Sequence, residues 1–225
     1  MPVHKLAIYD MDRTITIRGT YTPFLLHVAA RMAPWRLMLA PIVLLAMLAY
    51  VTKLIRRKTL KELNQRLMIG GRVSRARLAP HIESYADGVM AKNIRAGALA
   101  RIAQDKAEGY TLVLATASYR LYVDAIAKRL GFDAVIATDH LGQDLDYVRA
   151  KIAGENCYDA AKLRMIADWM AGEGITREAA HIRAYSDHVS DAPMLEFAHE
   201  PYAANPHKPL AILAQVRGWQ RVDWV

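Results

Sequence analysis

Cysteine is almost absent from this sequence. The chain of 225 residues contains one cysteine, Cys157, so it cannot form an internal disulfide bond. We also recognise no secretory signal, because the amino terminus starts directly with an apolar strand pattern. Both features predict a reducing, cytoplasmic compartment. No histidine forms a nucleophile motif around Cys157, so we expect a small packed residue there.

Acidic residues are missing from a long early stretch. From Arg13 to Lys61 there are nine lysines and arginines and no aspartate or glutamate. Residues 13–87 hold 13 basic and 3 acidic residues, whereas the rest of the chain holds 17 basic and 19 acidic residues. The formal net charge of +8 therefore comes from this one segment. The eight histidines are scattered without zinc-ligand spacing, so we do not expect zinc.

Short apolar runs and helical patterns alternate over most of the chain. The runs that read as buried strands are residues 6–9, 110–115, 133–137, 181–185 and 201–204. Helical periodicity follows two of them, over residues 119–130 and 159–170. This alternation predicts an α/β fold with a parallel sheet. Residues 18–88 differ, since they read as helices without strand alternation.

Two acids follow the first strand pattern directly. Asp10 and Asp12 are spaced i, i+2, so both can project from one strand end into one site. Two close carboxylates repel each other unless a cation or a shared proton lies between them, and the pair therefore hints at a metal. Alternatively, Asp10 could be a solvated residue that caps the next turn.

Hydroxyl, lysine and acidic residues recur at later strand ends and helix starts. Open α/β sheets bind their ligands in such places. Each residue also has a structural interpretation, as a helix cap or as a solvated side chain on a helix. These residues are Thr116, Ser118, Lys162, Asp187 and Asp191.

These motifs, in this order, resemble those of the haloacid dehalogenase superfamily, subfamily IB, the phosphoserine-phosphatase-like branch. The resemblance covers nearly the whole chain. It implies a three-layer, Rossmann-like core with a parallel sheet and a small all-helical cap inserted after the first motif. The implied domains are a catalytic core of residues 1–17 and 89–225 and a cap of residues 18–88.

The resemblance also implies a Mg²⁺-dependent phosphomonoester hydrolase. Asp10 would attack phosphorus and form an aspartyl-phosphate, and Asp12 would protonate the leaving oxygen and later activate water. Mg²⁺ would be held by Asp10, Asp187 and the main-chain carbonyl of Asp12. A phosphotransferase that passes the phosphoryl group to an alcohol would use the same site and remains an alternative.

The remaining motif residues would support this chemistry. Thr116, the backbone amides near Ala117, and Lys162 would stabilise the transferring phosphoryl group. Asp191 would orient a metal-bound water or Lys162. We expect Thr14 and Ser118, like Asp191, to hold the reacting residues in position without contacting the substrate themselves.

The substrate is less clear from the sequence. Phosphoserine phosphatases use an acidic residue soon after the first motif to hold the substrate amino group, whereas here no acid lies between Asp12 and Glu62. A basic, apolar cap favours an anionic phosphate ester, such as a phospholipid head-group phosphate. A soluble small-metabolite phosphatase, such as a phosphoserine phosphatase, is the alternative.

Residues 37–52 form an uncharged, mostly apolar run flanked by basic residues. As a helix it would reach about 24 Å, short of the roughly 30 Å hydrocarbon core of a bilayer, and Pro41 interrupts it. It is either a helix buried in the cap, which we prefer because a small cap needs an apolar core, or an interfacial helix on anionic lipid at the inner membrane face. Nucleic acid is not an expected partner, since the positive charge is interleaved with apolar residues.

Overall fold

The structure is a computed structural model that describes residues 4–141 and 146–224. In these residues the strands are β1 His4–Tyr9, β2 Arg72–Ser74, β3 Thr111–Tyr119, β4 Ala134–Thr138, β5 Tyr147–Arg149, β6 Ala180–Ser186, β7 Glu200–Ala204 and β8 Gln220–Val222. The helices are α1 Tyr21–Met32, α2 Ala40–Val51, α3 Arg57–Met68, α4 Arg75–Lys92, α5 Ala96–Ala107, α6 Arg120–Leu130, α7 Ala160–Gly172, α8 Ala192–Phe197 and α9 Lys208–Arg217.

Six of the strands form one sheet in the order β4-β3-β1-β6-β7-β8, and every neighbouring pair is parallel. The five predicted strands and the parallel sheet are confirmed, as are the two predicted helices, α6 and α7. β8 was not predicted. The first strand lies at the centre of the sheet, so its carboxyl end is adjacent to the ends of β3 and β6.

The sheet is covered on both faces, which gives three layers. Successive residues of β1 point to opposite faces: Ala7 and Tyr9 belong to one buried cluster, and Leu6 and Ile8 to the other. Residues of α5 and α6 fill the first cluster, and residues of α7, α8 and α9 fill the second. Burial on both faces explains why these strands read as continuous apolar runs.

The segment from α1 to α4, between the turn that follows β1 and α5, forms the cap. It contains α1, a 3₁₀ helix at Pro34–Leu39, α2, α3, β2 and α4. The cap is helical apart from β2, which pairs antiparallel with β5 of the core. The two connections to the core run side by side, since Ile17 N donates to Asn93 O (2.9 Å) and Arg95 N donates to Ile15 O (3.0 Å). Helix α4 continues past the proposed boundary at residue 88 to Lys92.

Aromatic contacts fix the cap on the core. Phe24 of α1 stacks on Tyr122 of α6 with ring centroids 4.4 Å apart, and Tyr85 of α4 meets the same ring edge-on at 5.7 Å. Both phenol groups also reach Thr20 at the start of α1: Tyr85 Oη donates to its carbonyl (2.6 Å), and Tyr122 Oη lies 2.9 Å from its hydroxyl.

The apolar run is largely exposed, so the preferred expectation of a helix buried in the cap is wrong. On α2, Leu44 and Leu45 each expose 65% of their surface and Leu48 exposes 59%. The physical reason is that α2 packs mainly along α3 and the preceding 3₁₀ helix, so much of its surface stays open to solvent. The run 37–52 was expected to be too short to cross a membrane, but the helical stretch Pro34–Val51, which begins three residues earlier, is long and apolar enough to do so by length and composition.

Candidate active site

The ends of β1 and β6 bring Asp10 and Asp187 together around one hydroxyl group. Thr14 Oγ1 lies 3.0 Å from Asp10 Oδ2 and 3.3 Å from Asp187 Oδ1, and it accepts a hydrogen bond from Asp187 N (3.0 Å). A tight, irregular turn at Met11–Ile15, in which Arg13 has a φ of 66°, follows β1 and brings Thr14 back to Asp10. All three residues are buried.

Lys162 of α7 lies between the carboxylates of Asp10 and Asp191. Its Nζ is 2.8 Å from Asp10 Oδ1 and 2.7 Å from Asp191 Oδ2, and Ser186 Oγ also donates to Asp191 Oδ2 (2.7 Å). Burial by itself would lower the pKa of Lys162, but Asp10 and Asp191 outweigh it and raise that pKa above its ordinary value. The ammonium group therefore stays charged beside Asp10.

The site carries more buried negative charge than one lysine balances. Burial raises the pKa of Asp10 to about 8 despite Lys162, and burial together with Asp191 raises the pKa of Asp187 to about 6. Asp191 Oδ1 is buried and has no hydrogen-bond partner among the described residues. A cation beside Asp10 and Asp187 would lower both pKa values and keep both groups ionised.

The donor set fits Mg²⁺ better than a transition metal. No three carboxylate, imidazole or thiol side chains within residues 4–141 and 146–224 converge to enclose a metal. Mg²⁺ does not require such a cage, because it binds through one or two carboxylates and keeps several waters. Asp10 and Asp187 would supply those carboxylates, and the family resemblance implies the carbonyl of Asp12 as the third protein ligand.

Asp12 is held at both of its oxygens. Its Oδ1 accepts the main-chain amide and the hydroxyl of Thr20, each at 2.7 Å. Its Oδ2 accepts Ser118 Oγ at 2.7 Å. These contacts fix the carboxyl group beside Asp10 without burying it completely, as an acid that must reach a leaving group requires.

A cavity of about 300 Å³ opens above these groups. Seven of the nine residues named from the sequence line it: Asp10, Asp12, Thr116, Ala117, Lys162, Asp187 and Asp191. The other two, Thr14 and Ser118, lie behind it and donate to the acids. Thr116 is on β3, beside β1, and its Oγ1 accepts Ser118 N at 3.1 Å.

The cap contributes cationic residues that the motifs did not single out. Arg57 of α3 lines the cavity, and its guanidinium lies 3.9 Å from the ring centroid of Tyr158. Lys61, one turn later, is buried, and its Nζ donates to Ala117 O (2.6 Å) and Asn156 Oδ1 (2.7 Å). Burial, followed by the charge of Arg57, lowers the pKa of Lys61 to about 7. The basic cluster after the apolar run was the only sequence signal for these two residues.

Two histidines lie next to Asp187, and one of them, His188, lines the cavity. His207 donates its main-chain amide to Asp187 O (3.0 Å), and its Nδ1 lies 2.8 Å from the same oxygen. The ring of His188 stacks on His207 at 4.2 Å. Cys157 is fully buried, as expected for a packed residue, and burial raises its pKa to about 11.

Comparison with known proteins places this site in a family context. The sequence model of the haloacid dehalogenase-like hydrolases matches residues 7–196. A protein of Mycobacterium tuberculosis named a probable phosphatase is 36% identical over 121 residues, which are 52% of this chain and 40% of that protein. The match thus spans well under half of that relative.

Two solved structures extend the comparison to the whole fold. A protein of unknown function from Bordetella pertussis has a TM-score of 0.87 and 26% identity, covering 98% of this chain and 99% of its own. A phospho-aspartyl intermediate analogue of phosphoserine phosphatase has a TM-score of 0.60 and 17% identity, covering 93% of this chain and 90% of its own. The second likeness concerns the fold alone.

Proposed function

Because the chain belongs to the haloacid dehalogenase-like hydrolases, we propose that it is a Mg²⁺-dependent phosphomonoesterase that works through a phosphoryl group carried by Asp10. The observation that carries this proposal is the placement of Asp10. It faces an open cavity, Lys162 lies 2.8 Å away, and the firmly held Asp12 lines the same cavity. A carboxylate next to a fixed lysine and a second acid is suited to attack a phosphate ester.

The charges explain why a cation is needed. A carboxylate and a phosphate oxygen about 4 Å apart repel each other by about 4 kcal/mol at an effective dielectric constant near 20. Lys162 offsets part of this repulsion at Asp10. When bound at Asp10 and Asp187, Mg²⁺ would neutralise charge on the phosphoryl oxygens. Thr116 and the amides near Ala117 would take up the remaining phosphoryl oxygens.

The reaction divides into two displacements. Asp10 attacks phosphorus, the bond from phosphorus to the ester oxygen breaks, and Asp12 gives its proton to that oxygen. A water molecule then attacks phosphorus, Asp12 takes a proton from it, and phosphate leaves while Asp10 is restored. Ser118 and Thr20 hold Asp12 in place for both transfers. If an alcohol replaces the water, the same groups carry out phosphoryl transfer.

We further propose an anionic phosphate ester as substrate, with a phospholipid head-group phosphate as the leading case. Two features of the cap support a lipid source. α2 presents exposed Leu45 and Leu48, and Lys53 and Arg56 follow it as exposed cations. Apolar side chains with adjacent basic residues are the combination that binds an anionic membrane surface. The enzyme would then work in the cytoplasm, peripherally at the inner membrane face.

The activity is tested by phosphate release from soluble and lipid phosphomonoesters with Mg²⁺, for the wild type and Asp10→Asn. Asp168→Asn is the matched control, since Asp168 is an exposed acid on α7. We expect Asp10→Asn to abolish release and Asp168→Asn to leave it unchanged. Full activity of Asp10→Asn would refute the proposal. With an alcohol present, a transferred phosphoryl group in the product would identify a phosphotransferase.

A further inference from the structure

A second cavity lies between the cap helices and the core, and it borders the 300 Å³ cavity above Asp10 at Asp12. It has a volume of about 440 Å³, within the range of about 300–1,000 Å³ that is usual for sites of small organic ligands. Asp12, Arg57 and Ala117 line both cavities. Since Asp12 is the proposed proton donor to the leaving oxygen, the second cavity begins where the leaving group of the ester must lie.

The wall of this cavity is mostly hydrocarbon. Helices α1, α2 and α3 contribute apolar side chains to it, among them Leu25, Val43, Leu44, Met47, Leu60 and Met68. Asp12, at the mouth, is the only carboxylate among the lining residues within 4–141 and 146–224. A charged amino group, such as that of phosphoserine, would find no acid further inside, whereas a hydrocarbon chain would find matching surface.

One polar atom in the wall lacks a partner. Asn64 of α3 is 6% exposed, and its Oδ1 makes no hydrogen bond within the part of the chain that the structure describes. A buried amide oxygen without a donor destabilises the protein, and native proteins rarely leave one unpaired. Because Asn64 lines the cavity, a hydroxyl group on a bound molecule could satisfy it.

We propose that this cavity binds the leaving group of the substrate, and that this group is an amphiphilic alcohol with a hydrocarbon chain and a hydroxyl group that donates to Asn64. The inference rests on the proposed function, because the phosphate of the ester must lie at Asp10. It adds the location of the substrate's hydrocarbon chain, between α1, α2 and α3. It also adds Asn64 as a residue that selects an alcohol with a further hydroxyl group. α2 forms one wall, so its inner side contacts the chain while its outer side remains exposed.

The test uses alkylphosphonates, which carry the phosphate-like group but cannot be hydrolysed. Their affinity for the full-length protein with Mg²⁺ is measured by calorimetry for chains of increasing length. We expect the affinity to rise with each methylene group, by up to about fourfold, until the cavity is filled. An affinity that does not depend on chain length would overturn the inference.

Two adjacent leucines give a matched pair of variants. Leu44 and Leu45 each expose 65% of their surface on α2, but Leu44 lines the cavity and Leu45 does not. We expect Leu44→Gln to weaken octylphosphonate binding by about fivefold or more and to leave methylphosphonate binding unchanged. Leu45→Gln should bind both ligands as the wild type does. Equal effects of the two variants would overturn the proposed location of the chain.

The role of Asn64 is tested with octylphosphonates that carry one hydroxyl group at successive carbons. At one position the wild type should bind more tightly than it binds octylphosphonate, by about fivefold, the value of one hydrogen bond. Asn64→Leu should lose this preference and keep the dependence on chain length. If no position is preferred, the role assigned to Asn64 is refuted.

Failure of the inference can be separated from failure of the proposed function. Strong hydrolysis of short, polar phosphomonoesters without any dependence on chain length would refute the hydrocarbon site and leave the phosphatase intact. Chain-dependent phosphonate binding without hydrolysis of any ester would refute the phosphatase proposal, and with it the assignment of this cavity to a leaving group.

Discussion

Thr20 donates both its main-chain amide and its hydroxyl to the same oxygen of Asp12, each over 2.7 Å. Thr20 immediately precedes α1, the first helix of the cap, whereas Asp12 belongs to the turn after the central strand. The start of the cap therefore fixes the orientation of the proposed acid. Tyr122 and Tyr85 in turn hold Thr20 in place.

Thr20→Val tests this positioning role. It removes one hydrogen bond to Asp12 and keeps the other, so we expect kcat/KM for an alkyl phosphate to fall about tenfold. The loss should be smaller for p-nitrophenyl phosphate, because its leaving group needs little protonation. A purely structural role would lower kcat/KM equally for both substrates.

Lys162→Met tests the cation beside Asp10. The variant leaves the buried carboxylates of Asp10 and Asp191 without the ammonium group they share, so we expect kcat/KM to fall at least about 100-fold. In EDTA, the free energy of unfolding in urea should fall by about 3 kcal/mol, as for other broken buried ion pairs. Lys151→Met is the control, since Lys151 pairs with Glu62 at the surface. Near-normal activity of Lys162→Met would contradict the role proposed for Lys162 in the active site.

Lys61 should make stability depend on pH. Burial lowers its pKa to about 7 in the folded chain, from 10.5, so between these values the unfolded chain binds the additional proton. The free energy of unfolding should therefore rise with pH across this window. At pH values below the window, Lys61 is charged in both states and the buried charge destabilises the folded chain by its full amount. Lys61→Met should remove this slope and be more stable than the wild type at pH 7, by a few kcal/mol. Urea denaturation at several pH values measures it, with Lys58→Met, an exposed neighbour, as control. If the free energy of unfolding changes with pH in the same way for the wild type and Lys61→Met, the prediction is contradicted.

Membrane contact predicts separate effects of charge and of apolar surface. Lys53→Gln and Arg56→Gln should each lower the affinity for phosphatidylserine-containing vesicles about fivefold. Neither variant should change binding to neutral vesicles. Leu48→Gln should weaken binding to the anionic vesicles as well. Lys208→Gln, on the core helix α9, serves as control in co-sedimentation. Wild-type protein that stays in the supernatant with all vesicles would contradict the membrane proposal.

The core could be predicted from sequence because its strands are central and buried on both faces. Such strands read as apolar runs, and in a parallel sheet their carboxyl ends meet, so the order of the motifs already placed Asp10 near Thr116 and Asp187. The short strands β2, β5 and β8 carry too few residues for a period to show.

The cap could not be predicted to the same depth. Hydropathy does not distinguish an apolar helix that is buried from one that is exposed, and so the exposure of α2 was missed. Lys61 and Asn64 had no signal of their own, because their burial depends on how α3 packs between the core and α2. Thr20 was missed for a similar reason, since its partner Asp12 lies in another element.

Mass spectrometry of the peptide that contains Asp10, after rapid acid quenching, detects the phosphoryl group that Asp10 is proposed to carry. The Asp12→Asn variant is used with p-nitrophenyl phosphate as substrate, because this leaving group needs no acid and the second displacement lacks its base. We expect a phosphoryl group on Asp10 that forms before phosphate is released and is absent when Asp10 is also changed to Asn. Phosphate release from the wild type without any phosphorylated Asp10, and unchanged release from Asp10→Asn, would contradict it.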